Sequence, residues 1–294
     1  MTDLFPPDAV LERLFTGATW SEGPVWLPSV RRLRWSDIPA NRILEYDEAT
    51  GATSVLRADA EFPNGRTLDL QGRVVQCSHG RRAVERESRG GPQTLVDRWA
   101  GGRFNSPNDL VVAGDGAIWF TDPPYGIHES GREGHPGRPE YGGCFVFRFD
   151  EAGGTIEPVV TDMVHPNGLA FSPDESILYV ADTGYLQVPG APRCIRAYDV
   201  VGGTRCTGGR DLVEVRPGAT DGLRVDVEGR IWSSSADSVQ VFTPSGERLA
   251  VVAVPEKVAN LCFGGDDGRT LYITASTSLY RIRTATTDAC PATR

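Results

Sequence analysis

The chain of 294 residues lacks any apolar run of the roughly 20 residues that a membrane helix needs, which argues against a membrane-spanning protein. Its first residues, MTDLFPPDAVLERLF, contain no apolar core of a secretory signal, so we expect a cytoplasmic location. Basic clusters are also missing, because 30 basic residues stand against 39 acidic ones and the formal net charge is −9. This balance argues against a nucleic-acid partner, and the sequence leaves protein partners open.

Motifs of several enzyme and metal-site classes are absent as well. The six cysteines form no CxxC pair and no cluster with histidine, which excludes zinc-ribbon and thioredoxin-like sites. We expect reduced, mostly buried thiols, although an even number of cysteines would also allow three disulfides. The chain contains neither GxSxG nor HExxH, so a serine hydrolase and a zincin are disfavoured.

What the sequence does contain is a repeat. Each unit starts with a polar residue, which is followed by a short apolar strand and a Gly-containing turn. A second apolar strand then follows, and its last residue is small or acidic. The lead residues are Glu22, Asn64, Asn108, Asn167, Asp221 and Asn260. The closing residues are Asp37, Ser78, Asp122, Asp182, Ser235 and Thr274.

Two apolar strands joined by DG, EG or QG form a β-hairpin, and further strand-like sequence follows each unit. Repeats of about 40 to 50 residues with two hairpins match propeller blades. We therefore predict an all-β fold, a six-bladed β-propeller with four-stranded antiparallel blades, as a single domain over residues 1–294. Residues 9–16 are predicted to close the ring beside the last blade, with one helical turn as the alternative. Trp26, Trp35, Trp119 and Trp232 fall on strands and are predicted to pack between blades.

Equivalent positions of the blades surround the central channel, so the lead residues should converge at one mouth of it. Two carboxylates and several amide oxygens form a hard-oxygen set that suits Ca²⁺ or Mg²⁺. Asn and Asp are also common turn formers, and that interpretation is preferred for Asn64 and Asn260. Two long loops, residues 126–143 and 185–193, should leave the same end of the propeller and shape the site.

Several motifs, in order, resemble one known family. The segments SEGPVW, RFNSPNDLVV, GAIWFTDPPYG, HPNGLAFSPDESILYVADTG and DGLRVDVEGRIW are similar to those of the gluconolactonase/regucalcin (senescence marker protein) family, in its microbial branch. The resemblance spans about residues 9 to 285. It implies a six-bladed propeller that hydrolyses sugar lactones with a divalent cation. That cation is expected to be Ca²⁺, with Zn²⁺, Mn²⁺ or Mg²⁺ as substitutes.

The resemblance also implies roles for individual residues. Glu22, Asn167 and Asp221 match the family's metal ligands, and Asn108 matches an asparagine that completes the metal shell or contacts substrate. Arg103 resembles the family's substrate-binding arginine, although the inserted Ser-Pro-Asn after Asn105 displaces it. The remaining candidates for lactone binding are Asn105, His79 and Tyr125.

The chemistry of these groups predicts a hydrolase of carboxylic esters. A metal with an open position would polarise the lactone carbonyl, and Asp221 is the candidate base for the attacking water. Two alternatives stay open: a calcium-dependent esterase or lactonase with other substrates, and a non-enzymatic calcium-binding or ligand-binding propeller.

Overall fold

A computed structural model describes residues 4–290 as a ring of six four-stranded antiparallel sheets. The predicted six-bladed propeller is thereby confirmed. Strand β1 spans Glu12–Thr16. The first blade comprises β2 to β5, which span Ser21–Leu27, Arg32–Asp37, Arg42–Asp47 and Thr53–Ala58. The second comprises β6 to β9, which span Pro63–Leu68, Val74–Ser78, Ala83–Arg86 and Gln93–Val96.

A small hairpin, β10 (Arg98–Trp99) and β11 (Gly102–Arg103), leads into the third blade. Strands β12 to β15 of that blade span Leu110–Val112, Ile118–Thr121, Cys144–Asp150 and Thr155–Met163. Strands β16 to β19 of the fourth blade span Pro166–Phe171, Ile177–Asp182, Cys194–Val201 and Arg205–Glu214. Strands β20 to β23 of the fifth span Leu223–Val225, Ile231–Ser234, Ser238–Phe242 and Arg248–Ala253.

The sixth blade joins the two ends of the ring. Its inner strands β24 to β26 span Val258–Gly264, Thr270–Ala275 and Ser278–Arg283, and β1 is its fourth, outermost strand. Strand β1 pairs antiparallel with β26, so this segment is a strand and not a helical turn. This pairing completes the four-stranded sheet of the last blade and joins the two ends of the ring.

The apolar core lies between neighbouring blades. Trp26 and Trp35 pack with Tyr272 of the sixth blade, Trp119 packs against the fourth, and Trp232 packs against Phe263. Three of these tryptophans are completely buried and Trp26 is 5% exposed, as the sequence predicted. Because each blade buries its face only against its neighbours, the position of every inner strand depends on the blades on both sides.

The remaining secondary structure consists of two single turns of 3₁₀ helix, Tyr125–Ile127 and Gly184–Leu186, at the starts of the two long loops. No helix within residues 4–290 is long and apolar enough to span a bilayer. The cysteines Cys77, Cys144, Cys194, Cys206 and Cys262 are free thiols, and three of them, Cys77, Cys194 and Cys262, are buried.

Candidate active site

A cavity of about 300 Å³ opens at the end of the channel where the innermost strands begin. Lead residues of five blades line it, and the two long loops supply much of its upper wall. The predicted convergence of lead residues therefore occurs. Those that line the cavity are Glu22, Asn64, Asn108, Asn167 and Asp221.

Local backbone irregularities bring these residues to the channel. In the inner strands β2, β6 and β16 the pairing register shifts at or just after the lead position. Such a bulge re-aims a side chain out of the regular alternation of the strand. The lead residue is followed by glycine in four blades, as in Gly65 and Gly168.

These glycines permit close contact between adjacent blades. Gly65 N donates to the carbonyl of Asn108 at 2.8 Å, and Gly168 N donates to the carbonyl of Asp221 at 2.8 Å. A Cβ atom at either glycine would overlap main-chain atoms of the next blade. The glycine therefore lets each lead residue stand against the next one around the ring.

Glu22 is a buried carboxylate without an ionic partner among the described residues. It accepts hydrogen bonds from Gly23 N at 2.7 Å and from Asn260 Nδ2 at 3.0 Å. Burial, and then repulsion by Asp221 and Asp109, raise its pKa well above the usual range. A nearby cation would reverse that shift.

Asp221 occupies the same cavity from the fifth blade. Burial raises its pKa to about 7, Lys257 lowers it, and the negative charges of Glu133 and Asp109 raise it. Hydrogen bonding from Asn167 also lowers it. Glu22 and Asp221 thus repel each other, and neither forms an ion pair with a basic side chain of residues 4–290.

The donor set fits a hard divalent cation. Within residues 4–290 no group of three or more His, Cys, Asp and Glu side chains is arranged to hold a metal, so amide oxygens would have to complete the shell. Asn108 and Asn167 line the cavity beside the two carboxylates and offer such oxygens. Carboxylate and amide oxygens with room for water are the ligands that Ca²⁺ and Mg²⁺ take in proteins.

His79, a predicted substrate-binding residue, is completely buried and is not among the side chains that line the cavity. Its Nδ1 is 2.9 Å from the carbonyl oxygen of Glu133, so Nδ1 carries the proton and Nε2 accepts from Asn64 Nδ2 at 3.1 Å. Burial lowers the pKa of His79 to about 4, which keeps the ring neutral. The ring thus connects the long loop to an asparagine of the cavity wall.

Arg103 and Asn105 are not brought to the cavity either. The Arg103 guanidinium donates to the carbonyl of Arg81 at 2.9 Å, on the flank of the second blade. Asn105 is fully buried, and its amide donates to the carbonyls of Asp122 at 3.1 Å and Gly143 at 3.0 Å. Both side chains are thus held by main-chain carbonyls outside the cavity lining.

Tyr125 does line the cavity, together with Leu186 and Gln187 of the second long loop. Its hydroxyl is 2.5 Å from Thr183 Oγ1, and its ring meets His165 edge-on at 5.5 Å. The phenol is therefore held in place as part of the wall. Both long loops leave the propeller at the cavity end, as predicted.

Asn260 has a supporting position below the cavity. Its amide donates to Glu22 and, at 3.2 Å, to Asp109 Oδ2, and its own oxygen accepts from Leu261 N at 2.8 Å. Asp109 occupies the position where other blades have glycine, and Arg224 approaches it at 3.6 Å. Asn260 is therefore neither a simple turn former nor part of the cavity lining.

Sequence reasoning missed three charged residues of the cavity, which are Arg132, Glu133 and Lys257. Glu133 belongs to the first long loop, whose path cannot be derived from local patterns. Lys257 precedes β24, and its Nζ lies 5.0 Å from the centre of the Trp20 ring. A signal was available for Lys257, because it is the single lysine of the chain.

Comparison with known proteins agrees with this architecture. The family model described as "SMP-30/Gluconolactonase/LRE-like region" matches residues 20–277 of this sequence. A gluconolactonase of Zymomonas mobilis is 31% identical over 94% of this chain and 82% of its own length. A pentonolactonase of Haloferax volcanii is 31% identical over 89% of this chain and 83% of its own. The solved structure of a Xanthomonas campestris gluconolactonase superposes with a TM-score of 0.89 at 40% identity and covers 96% of this chain and 91% of its own.

Proposed function

The chain belongs to the SMP-30/Gluconolactonase/LRE-like family, and we propose from its cavity that it hydrolyses a sugar lactone with the help of a divalent cation. It is a hydrolase of carboxylic esters, in common with the relatives named gluconolactonase and pentonolactonase. The product would be the open-chain hydroxy acid, an aldonic acid when the lactone derives from an aldose.

One observation carries the proposal. Four oxygen-bearing side chains, Glu22, Asn108, Asn167 and Asp221, come from four different blades and meet in one cavity. Neither carboxylate forms an ion pair with a basic side chain of residues 4–290, and burial raises the pKa of both. Such a set is costly without a cation, which supports its assignment as the ligand set.

A divalent cation held there would polarise the carbonyl oxygen of the lactone. The side chains of the protein supply the remaining steps. In our proposal Asp221 takes the proton of a water molecule whose oxygen bonds to the carbonyl carbon. The bond between that carbon and the ring oxygen then breaks, and the ring oxygen receives the proton that Asp221 took up, so that it becomes a hydroxyl and the carboxylate is restored. Tyr125 and the two long loops enclose the substrate and limit the access of other water.

The test is hydrolysis of glucono-1,5-lactone, followed by proton release and corrected for the spontaneous reaction. We expect activity to be lost when a chelator removes the metal and to return with Ca²⁺, Mg²⁺, Mn²⁺ or Zn²⁺. Thermal unfolding of the chelated protein serves as the control that it stays folded.

Two results would contradict the proposal. Activity that survives complete metal removal would eliminate the cation from the mechanism. Inactivity with every metal, on several sugar and aliphatic lactones, combined with calcium binding by calorimetry, would favour the non-enzymatic calcium-binding propeller.

A further inference from the structure

The cavity contains a residue that the chain uses nowhere else. Of 30 basic residues, 29 are arginine, and the single lysine, Lys257, lines the cavity. Arginine is favoured where a planar fork pairs with a carboxylate, and the surface ion pairs of this protein are built that way. A compact ammonium at this one position therefore indicates a different task.

The surroundings of Lys257 hold its main chain and leave its ammonium available. Its carbonyl accepts hydrogen bonds from Ser276 N at 2.9 Å and from Ser276 Oγ at 3.3 Å. The neighbouring carboxylate of Glu256 accepts from Thr277 N at 2.8 Å and from the Tyr280 hydroxyl at 2.7 Å. That carboxylate is thus engaged elsewhere.

The ammonium rests over the face of the Trp20 ring, 5.0 Å from its centre, and forms no ion pair with any acidic side chain of residues 4–290. Its charge lowers the pKa of Asp221 on one side and of Glu133, in the long loop, on the other. It therefore lies between the candidate ligand set and the loop that covers the cavity. An ammonium has three donors, and no carboxylate side chain between residues 4 and 290 is close enough to take them.

We propose that Lys257 is a substrate-binding residue whose ammonium donates hydrogen bonds to hydroxyl oxygens of the bound lactone. This inference rests on the proposed lactonase function and deepens it. It means that the cavity prefers lactones with several hydroxyl groups to lactones without any. Trp20 fixes the direction of the side chain, and the long loop holds the substrate from the opposite side.

Two substitutions and two substrates test the proposal. Lys257→Met keeps the length and removes the donors, whereas Lys257→Arg keeps the charge. We expect Lys257→Met to lower kcat/KM for glucono-1,5-lactone about 10-fold to 100-fold, mostly through KM, since a hydrogen bond to a charged group is lost. For δ-valerolactone, which has no hydroxyl groups, we expect a change of less than about twofold, and Lys257→Arg should show an intermediate effect.

An equal loss on both lactones, or no loss on either, would overturn the inference. If the wild-type protein hydrolyses neither lactone, the proposed lactonase function itself is wrong. That result can be told apart from the two results that overturn only the role of Lys257.

The single lysine also allows a test that does not depend on turnover. Trinitrobenzenesulfonate reacts with amines, and Lys257 and the α-amino group are the two amine targets of this sequence, which peptide mass analysis separates from each other and from any labelled cysteine. We expect gluconate, at a concentration that inhibits hydrolysis almost completely, to slow the labelling of Lys257 at least about tenfold.

A matched control is available in Arg248→Lys, which adds an exposed amine on β23, far from the cavity lining. The added lysine should react at the same rate with and without gluconate. Equal labelling of Lys257 under both conditions would show that the ammonium does not contact the ligand.

Discussion

The first and last residues of each inner hairpin form two sets of repeat-equivalent polar side chains with opposite roles. The lead residues Glu22 and Asp221 lie in the cavity with few protein donors. The closing residue Asp37 accepts main-chain hydrogen bonds from Thr19 at 2.8 Å and Trp20 at 3.1 Å. Asp122 and Asp182 do the same for the residues that precede β12 and β16.

The difference shows what separates a functional carboxylate from a structural one in a repeat protein. Each set contains acidic residues that recur in register, and those of the closing set are buried, as is Glu22, whereas Asp221 is half-buried. The two sets differ in the number of main-chain N–H groups that donate to each carboxylate. A carboxylate that already accepts several such hydrogen bonds has little capacity left for a ligand. We therefore expect substitutions in the lead set to affect function and substitutions in the closing set to affect stability.

The largest effect is expected for Asp221→Asn. Removing the proposed base should lower kcat about 10²-fold to 10⁴-fold, while the melting temperature should stay equal or rise because a buried negative charge is lost. Proton release and calorimetric metal binding measure the two effects separately. If metal binding survives and the hydrolysis rate is unchanged, Asp221 is not the base.

Asp37→Ala should produce the reverse pattern. The main-chain N–H groups of Thr19 and Trp20 lose their acceptor and Arg42 loses its ion-pair partner at 2.8 Å, so the free energy of unfolding should fall by about 2–4 kcal/mol. Chemical denaturation measures this loss. At a temperature where the variant is folded, kcat should lie within about threefold of the wild type. A loss of kcat comparable to that of Asp221→Asn would break the distinction between the two sets.

Glu22→Gln examines the lead set without touching the proposed base. We expect metal affinity to fall about 10-fold to 100-fold by isothermal calorimetry, because a ligand charge is removed. The metal-free protein should be as stable as the wild type or more stable, since repulsion by Asp221 and Asp109 disappears. A variant that is less stable without metal would assign Glu22 a structural role similar to that of Asp37.

The smallest effect is expected for His79, whose ring connects Asn64 of the cavity wall to Glu133 of the long loop. Its pKa is lowered in the folded state to about 4, so its contribution to stability is present above the unfolded pKa of about 6.5 and is lost as pH falls toward 4. Between pH 7 and 4.5 this group alone should cost about 2 kcal/mol of unfolding free energy.

His79→Gln keeps a donor and an acceptor but does not titrate. As the pH is lowered from 7 to 4.5, the unfolding free energy of the wild type should therefore fall more than that of His79→Gln. Parallel pH profiles of the two proteins would show that the histidine has no part in the acid sensitivity.

The fold was readable from the sequence because each blade repeats the same local pattern of two apolar strands and a glycine turn. The cavity was predictable in part, because equivalent positions in a closed ring must converge. Their common position in the repeat was enough to predict four cavity residues, which are Glu22, Asn108, Asn167 and Asp221. Three of them are followed by a glycine, and these glycines permit the close contact between blades.

Other features depend on contacts that a linear pattern does not contain. Arg103 and His79 bind main-chain groups elsewhere, and their partners come from distant segments of the chain. Asn260 is in register but is used to hold Glu22. Glu133 reaches the cavity through a long loop, whose conformation is set by packing against other blades and not by local propensity.

The ribosome makes β1 first and its partner β26 last. At roughly 5–20 residues per second, the first strand has to wait on the order of tens of seconds for its neighbour. Glu22 of the first blade and Asn260 of the sixth are joined by a 3.0 Å hydrogen bond, so this contact can form only after the last blade has been made. We therefore expect the cavity to be completed late in synthesis, and a nascent chain that stops before β24 to be inactive.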